Sequence, residues 1–316
     1  MNRAGAGIGI ALAFVCLFIL GVMPVIVDSR PTGVDALSFA LFLSLWQLLA
    51  ACPFPMAERL GGRPGLFGPT VPRAVRRRTL AILLLTGGIF GISTYLYVLA
   101  VETAGPVGTA IAIQAYPLFA IVWESVALKR RKTGLELLFT ALLLAALYVL
   151  VTDGTGRIGG LSPWFLVALS VPFLWSIAHV ILREVMTRTP ITPAQVTLAR
   201  VLVSVVVLGV VALVGVGPAT LAAGLARPDV QAVAALMGAV YYLELIVWFH
   251  AVRIIDVSLA SSIAVPWPAV TMALTVVVLG EPVAPYQIAI LGVVVLSLYG
   301  LLYAGARARR APVGAG

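Results

Sequence analysis

Residues 251–281, AVRIIDVSLASSIAVPWPAVTMALTVVVLGE, share a pattern with residues 100–130, AVETAGPVGTAIAIQAYPLFAIVWESVALKR. Both stretches run from small residues into an apolar segment. Matched segments of this kind are the signature of an internal repeat, so we expect two structurally related halves. Aligned without gaps, the stretches place an aromatic residue and a proline at the same positions: Tyr116 and Pro117 in one, Trp267 and Pro268 in the other.

The composition excludes a water-soluble globule. Of the 316 residues, 61% are hydrophobic and only 10% are charged, and the mean hydropathy is +1.10. Soluble domains carry about 25% charged residues. Apolar runs of about 20 residues recur along the chain, and a run of this length crosses a bilayer as a helix, because a helix satisfies its own backbone hydrogen bonds. We therefore predict an all-α integral membrane protein.

The apolar runs predict ten transmembrane helices in two repeats of five, which together form one membrane domain. The first repeat covers residues 1–155 and the second covers residues 156–316. Because five is an odd number, the second repeat enters the membrane from the opposite side, which makes the repeats inverted. Inverted repeats place a binding site near the midplane, where the halves meet. The predicted spans are residues 8–27, 37–56, 79–100, 108–128, 136–151, 163–186, 194–216, 230–252, 258–279 and 286–304.

Lysine and arginine set the predicted orientation. With the N-terminus inside, seventeen of the 21 basic residues fall in inner segments, three fall in outer segments, and Arg200 lies within a span. Cytoplasmic loops of membrane proteins carry such an excess. Both termini are therefore predicted to face the cytoplasm. Since orientation accounts for the net charge of +9, we expect no nucleic-acid partner.

These features resemble the drug/metabolite transporter superfamily, in particular its ten-helix members with two EamA-type repeats. The resemblance implies a multi-pass secondary transporter of the bacterial inner membrane. It also implies a cavity lined by spans one to four and six to nine, with spans five and ten at the periphery. The first repeat keeps Pro117 but has Arg130 where the second has Glu281. The second repeat carries most of the resemblance: Arg200, the run 260–268, Leu279-Gly280-Glu281, Gly292 and Gly300.

Within that superfamily the chain is similar to the YddG-type exporters of aromatic amino acids. The similarity rests on the stretch 114–117, Gln-Ala-Tyr-Pro, together with Trp175 and Trp248. It implies export of amino acids, aromatic or large and apolar, by alternating access. The alternative within transport is a broad exporter of drugs or cationic metabolites. A remote alternative is an intramembrane enzyme or lipid-handling protein built on His179 and Glu244.

Glu244 is the most informative candidate, because an ionised carboxylate near the bilayer centre costs roughly 3 kcal/mol. We expect it to face a cavity, where it holds an ammonium group or takes up a proton. The alternative is a protonated structural residue hydrogen-bonded between helices. Tyr241 and Trp248 lie on the same helix face. The predicted substrate-binding residues are Tyr95, Gln114, Tyr116, Trp175, His179, Tyr241, Glu244, Trp248 and Trp267.

Prolines and one arginine have predicted mechanical roles. Pro117, Pro266 and Pro268 are hinge candidates, because a proline inside a helix removes a backbone donor and bends the chain. A kink without function is the alternative, since prolines are common in membrane helices. Arg200 either extends to the inner membrane surface or forms a structural or gating ion pair.

Span three carries Gly87, Gly88 and Gly91 on the same helix face as Tyr95. Small residues allow helices to approach closely, so the glycines predict helix packing and Tyr95 extends that face toward the cavity. Tyr97 is expected at a membrane interface or against lipid.

The sequence predicts no cofactor, no metal site and no catalytic residue. Its two histidines, His179 and His250, lack metal-ligand spacing, and no Gly-Lys-Ser/Thr phosphate loop is present. Cys16 and Cys52 lie in apolar runs and are expected to be buried free thiols. The expected partners are a small-molecule substrate and the lipid bilayer, and both a monomer and a homodimer fit the sequence.

Overall fold

The computed structural model describes residues 3–116, 119, 133–152, 154–155, 163–254 and 263–310, and no β-strand occurs among them. A 3₁₀ turn at Gly65–Phe67 and a π-helical turn at Thr275–Leu279 accompany the α-helices. In chain order the α-helices are α1 (Arg3–Asp28), α2 (Ala36–Ala51), α3 (Pro53–Leu60), α4 (Arg73–Ile113), α5 (Gly134–Val151), α6 (Pro163–Arg188), α7 (Pro193–Gly215), α8 (Pro218–Leu225), α9 (Pro228–Ile254), α10 (Trp267–Leu274) and α11 (Pro285–Arg310).

Several of these helices are suited to a bilayer in length and surface. Large apolar side chains point outward from them: Val214 in α7 is 86% exposed and Leu166 in α6 is 70% exposed. In water such a surface would aggregate, whereas in lipid it matches its solvent. The chain is therefore a multi-pass membrane protein. Among the described residues, the segments long and apolar enough to cross a membrane are Gly7–Asp28, Ala36–Leu60, Arg73–Ile113, Trp164–Met186, Pro193–Gly215, Pro228–Trp248 and Pro285–Ala304.

Helix α4 is too long for a single crossing. Its 41 residues correspond to about 60 Å at 1.5 Å per residue, about twice the hydrocarbon thickness. Gly105 divides it, with φ 73° and ψ 165°, a conformation that residues with a Cβ rarely adopt. Pro106 follows at the start of the second arm, where its missing N–H breaks no helix bond. The break at Gly105 lies between the predicted third and fourth spans.

The hinge candidate Pro117 lies outside the described residues, as do residues 118 and 120–128 of the predicted fourth span, the following residues 129–132, and residues 255–262 before α10. The count of ten helices and the inverted symmetry of the two halves therefore stay predictions.

Helix α4 packs between α6 and α7, and glycines set its distance from α7. A Cβ added to Gly87 would lie 2.6 Å from Val203 Cβ, and one added to Gly91 would lie 3.1 Å from Ser204 Cα. The Ser204 hydroxyl donates a hydrogen bond to the Gly87 carbonyl at 2.9 Å. The predicted packing role is confirmed for Gly87 and Gly91. It is wrong for Gly88, whose Cβ would meet open space.

Apolar side chains gather in two large clusters, which we name central and peripheral. The central cluster joins α1, α2, α4 and α9 and includes Phe39 and Met237. The peripheral cluster joins α4 and α6 to the pair α5 and α11, and it includes Leu143 and Leu298. Within that pair, a Cβ added to Gly300 would lie 2.3 Å from the Phe139 ring, so the glycine is what allows α5 and α11 to touch.

Polar contacts tie the loops together at the two ends of the bundle. At one end, Arg30 pairs with Glu102 at 2.6 Å, and Arg227 donates to the Thr32 carbonyl at 3.0 Å. At the other end, Gln195 near the start of α7 donates to the Pro64 carbonyl at 3.0 Å. The first end gathers segments predicted to be outer and the second end gathers segments predicted to be inner. We use outer and inner in this sense below.

Replacing Gly87 with Ala should destabilise the protein by about 1–3 kcal/mol, because the new methyl group would collide with Val203. Gly88→Ala is the matched control, since its methyl group meets open space and alanine is the better helix former. Thermal unfolding of both variants in detergent measures the difference. Equal unfolding temperatures for the two variants would contradict the close contact between α4 and α7.

Candidate functional site

Arg200 of α7 is buried inside the bundle, with 5% of its surface exposed. Its guanidinium carbon lies 3.8 Å from the centroid of the Phe90 ring and 5.9 Å from that of the Tyr241 ring. Phe90 stands between Gly87 and Gly91, so the close approach of α4 and α7 puts its ring beside the guanidinium. The hypothesis that Arg200 extends to the inner surface is therefore wrong, because the side chain packs against aromatic rings within the protein.

Glu244 of α9 is also buried, and α1 lies against it. The Cys16 thiol donates a weak hydrogen bond to Glu244 Oε1 at 3.5 Å. Arg200 acts on the same carboxylate electrostatically, yet the two groups form no direct ion pair among the described residues. An acidic and a basic side chain thus lie in one buried region without a direct contact between them.

Aromatic rings extend this region along α6. The His179 ring lies 5.3 Å from the Phe90 ring and 6.0 Å from the Tyr116 ring, measured between centroids. One turn earlier on α6, Trp175 Nε1 donates to the Ser93 hydroxyl at 3.0 Å. These contacts place Tyr116, His179 and Trp175 along the interface of α4 and α6. We use the name buried polar cluster for Arg200, Glu244 and five aromatic rings. These rings are those of Phe90, Tyr116, Trp175, His179 and Tyr241.

The remaining predicted substrate-binding residues fall in different places. Tyr241 and Trp267 belong to the central apolar cluster, and Tyr95 packs against it. Gln114 is buried near Tyr116, and within the described part of the chain its amide nitrogen has no hydrogen-bond partner.

Trp248 is not a member of the buried polar cluster. It packs on Ala13 of α1 together with Ile254 and Ile263.

The two described hinge candidates lie at the start of α10, at and directly after a turn at residues 265–266. Pro266 occupies the N-cap position of α10, and Pro268 follows within its first turn. Proline is well tolerated there, because the first N–H groups of a helix have no partner within it. Residues 263–264 before the turn are helical as well, so the two prolines lie where the helical path of the predicted ninth span is interrupted. Their roles as kinks or hinges stay predictions.

Sequence reasoning missed several residues of this region. Tyr97 is 2% exposed and its ring centroid lies 6.3 Å from that of Trp175, so its expected place against lipid is wrong. Cys16 is buried as expected, but Cys52 is exposed. The position of Phe90 between two glycines was the available signal for its role, whereas nothing in the sequence pairs Cys16 with Glu244.

The hypothetical acid–base pair of His179 and Glu244 is not hydrogen-bonded in the part of the chain that the structure describes. His179 contacts the Phe90 and Tyr116 rings, whereas Glu244 contacts Cys16. The geometry therefore gives no support to proton transfer between the two side chains.

Comparison with known proteins supports a transporter. Residues 162–303 match the EamA-like transporter family. This match supports a place in the drug/metabolite transporter superfamily and favours a transporter over an enzyme. No curated protein matches the sequence. A crystal structure of another protein aligns with a TM-score of 0.59 at 16% identity, covering 96% of this chain and 99% of that chain. At this identity the likeness establishes a shared fold alone.

Phe90→Leu should destabilise the protein by about 2 kcal/mol, because leucine keeps the apolar character but removes the ring beneath a desolvated guanidinium. Phe18→Leu in α1 is the control, since Phe18 is 57% exposed on the outer surface of the bundle. Thermal unfolding in detergent gives both values. A loss no larger for Phe90→Leu than for Phe18→Leu would show that the cation–ring contact contributes nothing.

Proposed function

We propose that this chain is a secondary transporter that exports amino acids, aromatic or large and apolar, across the bacterial inner membrane. Transport proceeds by alternating access between the two inverted halves, with both termini in the cytoplasm. The EamA match over residues 162–303 supports transport, and the shared fold along almost the whole chain supports a single membrane unit. The cargo is inferred from the buried polar cluster.

The observation that carries the proposal is the burial of Arg200 and Glu244 in one region without a direct ion pair. Charges in a membrane interior are expensive and mark functional positions. A zwitterion carries both a carboxylate and an ammonium group, and so offers a direct partner of opposite charge to Arg200 and to Glu244. Its carboxylate fits the planar donor fork of Arg200, and its ammonium group fits the carboxylate of Glu244.

The surrounding rings suit the side chain of such a cargo. The Phe90 ring lies against Arg200, and the rings of His179, Tyr116 and Trp175 extend the aromatic surface from there along α6. Aromatic rings bind one another in offset or edge-to-face arrangements and bury much apolar area. The unpartnered amide of Gln114 offers a further hydrogen-bond donor in the same region. A hydrophobic site with a few placed polar groups is typical of small-molecule recognition.

The test is uptake of radiolabelled phenylalanine into proteoliposomes, with and without a proton gradient. Wild-type protein should accumulate label above empty liposomes. Glu244→Gln and Arg200→Gln should each lower uptake at least about tenfold, since each removes one charge-assisted hydrogen bond. Glu184→Gln is the matched control, because Glu184 is an exposed residue of α6 that pairs with Arg188.

Uptake no better than that of empty liposomes would refute amino-acid transport. Full uptake by both cluster variants would place the binding site elsewhere. Folding is monitored by thermal unfolding, and Arg200→Lys distinguishes loss of charge from loss of the donor fork, because lysine keeps the charge alone.

A broad exporter of cationic drugs is the second candidate, since the only hydrogen bond that Glu244 receives from described residues is the weak one from Cys16. In that case Glu244→Gln should abolish transport of a quaternary ammonium compound and spare neutral cargo. The nearby guanidinium of Arg200 argues against this candidate, because it repels a cation that carries no carboxylate.

A further inference from the structure

A small cavity lies at the outer end of the bundle, away from the buried polar cluster. Its volume is about 100 Å³, and it is lined by Gly105 and Pro106 at the break in α4, Thr275 in the π-helical turn, and Glu281 and Gln287 before and within α11. The cavity therefore lies where the break in α4 at Gly105 meets the end of α10 and the start of α11.

The Thr275 hydroxyl is the first sign of a ligand. Thr275 is 3% exposed, and within the described residues its hydroxyl oxygen has no hydrogen-bond partner. A threonine inside a helix normally donates to the carbonyl one turn earlier. Here the turn from Thr275 to Leu279 is widened to a π-helix, a local distortion that occurs frequently at functional sites.

The charges around the cavity are the second sign. Glu281 makes no ion pair with any described residue, and Asp28 lies close enough to repel it. Arg30 also acts on Asp28, but its guanidinium is paired with Glu102. The N-terminal end of the second arm of α4 supplies at most about half a positive charge, which does not balance two carboxylates. Glu281 is exposed at this cavity and remains an unpaired acidic side chain among the described residues.

We propose that this cavity binds a small hard cation of the Na⁺ or Ca²⁺ type, with the Thr275 hydroxyl and the Glu281 carboxylate as ligands. The Gln287 side-chain oxygen accepts from the Ala284 amide and has a second lone pair for the ion. Oxygen donors of this kind are what hard cations prefer.

The cavity volume decides between an ion and an organic cargo. Pockets for organic ligands measure about 300–1,000 Å³, well above the 100 Å³ found here. The space does hold an ion with part of its water shell, since a water molecule occupies about 30 Å³ of liquid. The site joins the break in α4 to the end of α10, which belong to the first and second predicted repeats. A bound cation would therefore contact both predicted repeats and link them at the outer end of the bundle.

The test compares thermal unfolding of the purified full-length protein in NaCl, in CaCl₂ and in choline chloride at matched ionic strength. At least one of Na⁺ and Ca²⁺ should raise the unfolding temperature by about 2–4 °C over choline. Thr275→Val, which keeps the shape but removes the hydroxyl, and Glu281→Gln should each abolish the rise. Glu102→Gln, which removes a nearby outer charge that does not line the cavity, should keep it.

The proposal is overturned if neither cation stabilises the wild type, or if Thr275→Val and Glu281→Gln keep the stabilisation. Loss of the effect in Glu102→Gln as well would mean that the general negative field, rather than a site, attracts the ion. None of these results depends on the cargo, so the cation site and the proposed amino-acid transport are tested separately.

Discussion

The close approach of α4 and α7 at Gly87 and Gly91 is the contact on which the inner structure depends. Because these positions have no side chains, the Ser204 hydroxyl reaches the Gly87 carbonyl and donates a hydrogen bond to it. This bond fixes how α4 and α7 are aligned along their length. Arg200 lies one turn before Ser204 and therefore meets the Phe90 ring. Larger residues at the two glycine positions would separate the helices and leave a buried guanidinium without its aromatic neighbour.

A buried arginine in a bilayer is tolerated only when its surroundings offset the loss of water. Here the offset is divided among several weak contacts: the face of Phe90, the ring of Tyr241 and the field of Glu244. No one of them equals a direct carboxylate at contact distance. A tight ion pair between Arg200 and Glu244 would have to be broken before either side chain met a new partner, which is costly. The described residues contain no such pair.

The sequence was sufficient for the membrane class, for two of the three packing glycines and for the burial of Glu244. It could not assign neighbours, because helical spacing tells which residues share a face but not which helix that face meets. Trp248 and Glu244 do share a face, yet both turn toward α1, where Ala13 and Cys16 lie one turn apart. Tyr97 was misplaced for the same reason.

The division of the apolar interior into a central and a peripheral cluster has a mechanical consequence. Helices α4, α6 and α10 each contribute buried residues to both clusters, so these three helices connect them. The pair α5 and α11, joined where Gly300 admits Phe139, contributes buried residues to the peripheral cluster alone. Among the described residues, a displacement of this pair therefore reaches the central cluster through α4, α6 and α10.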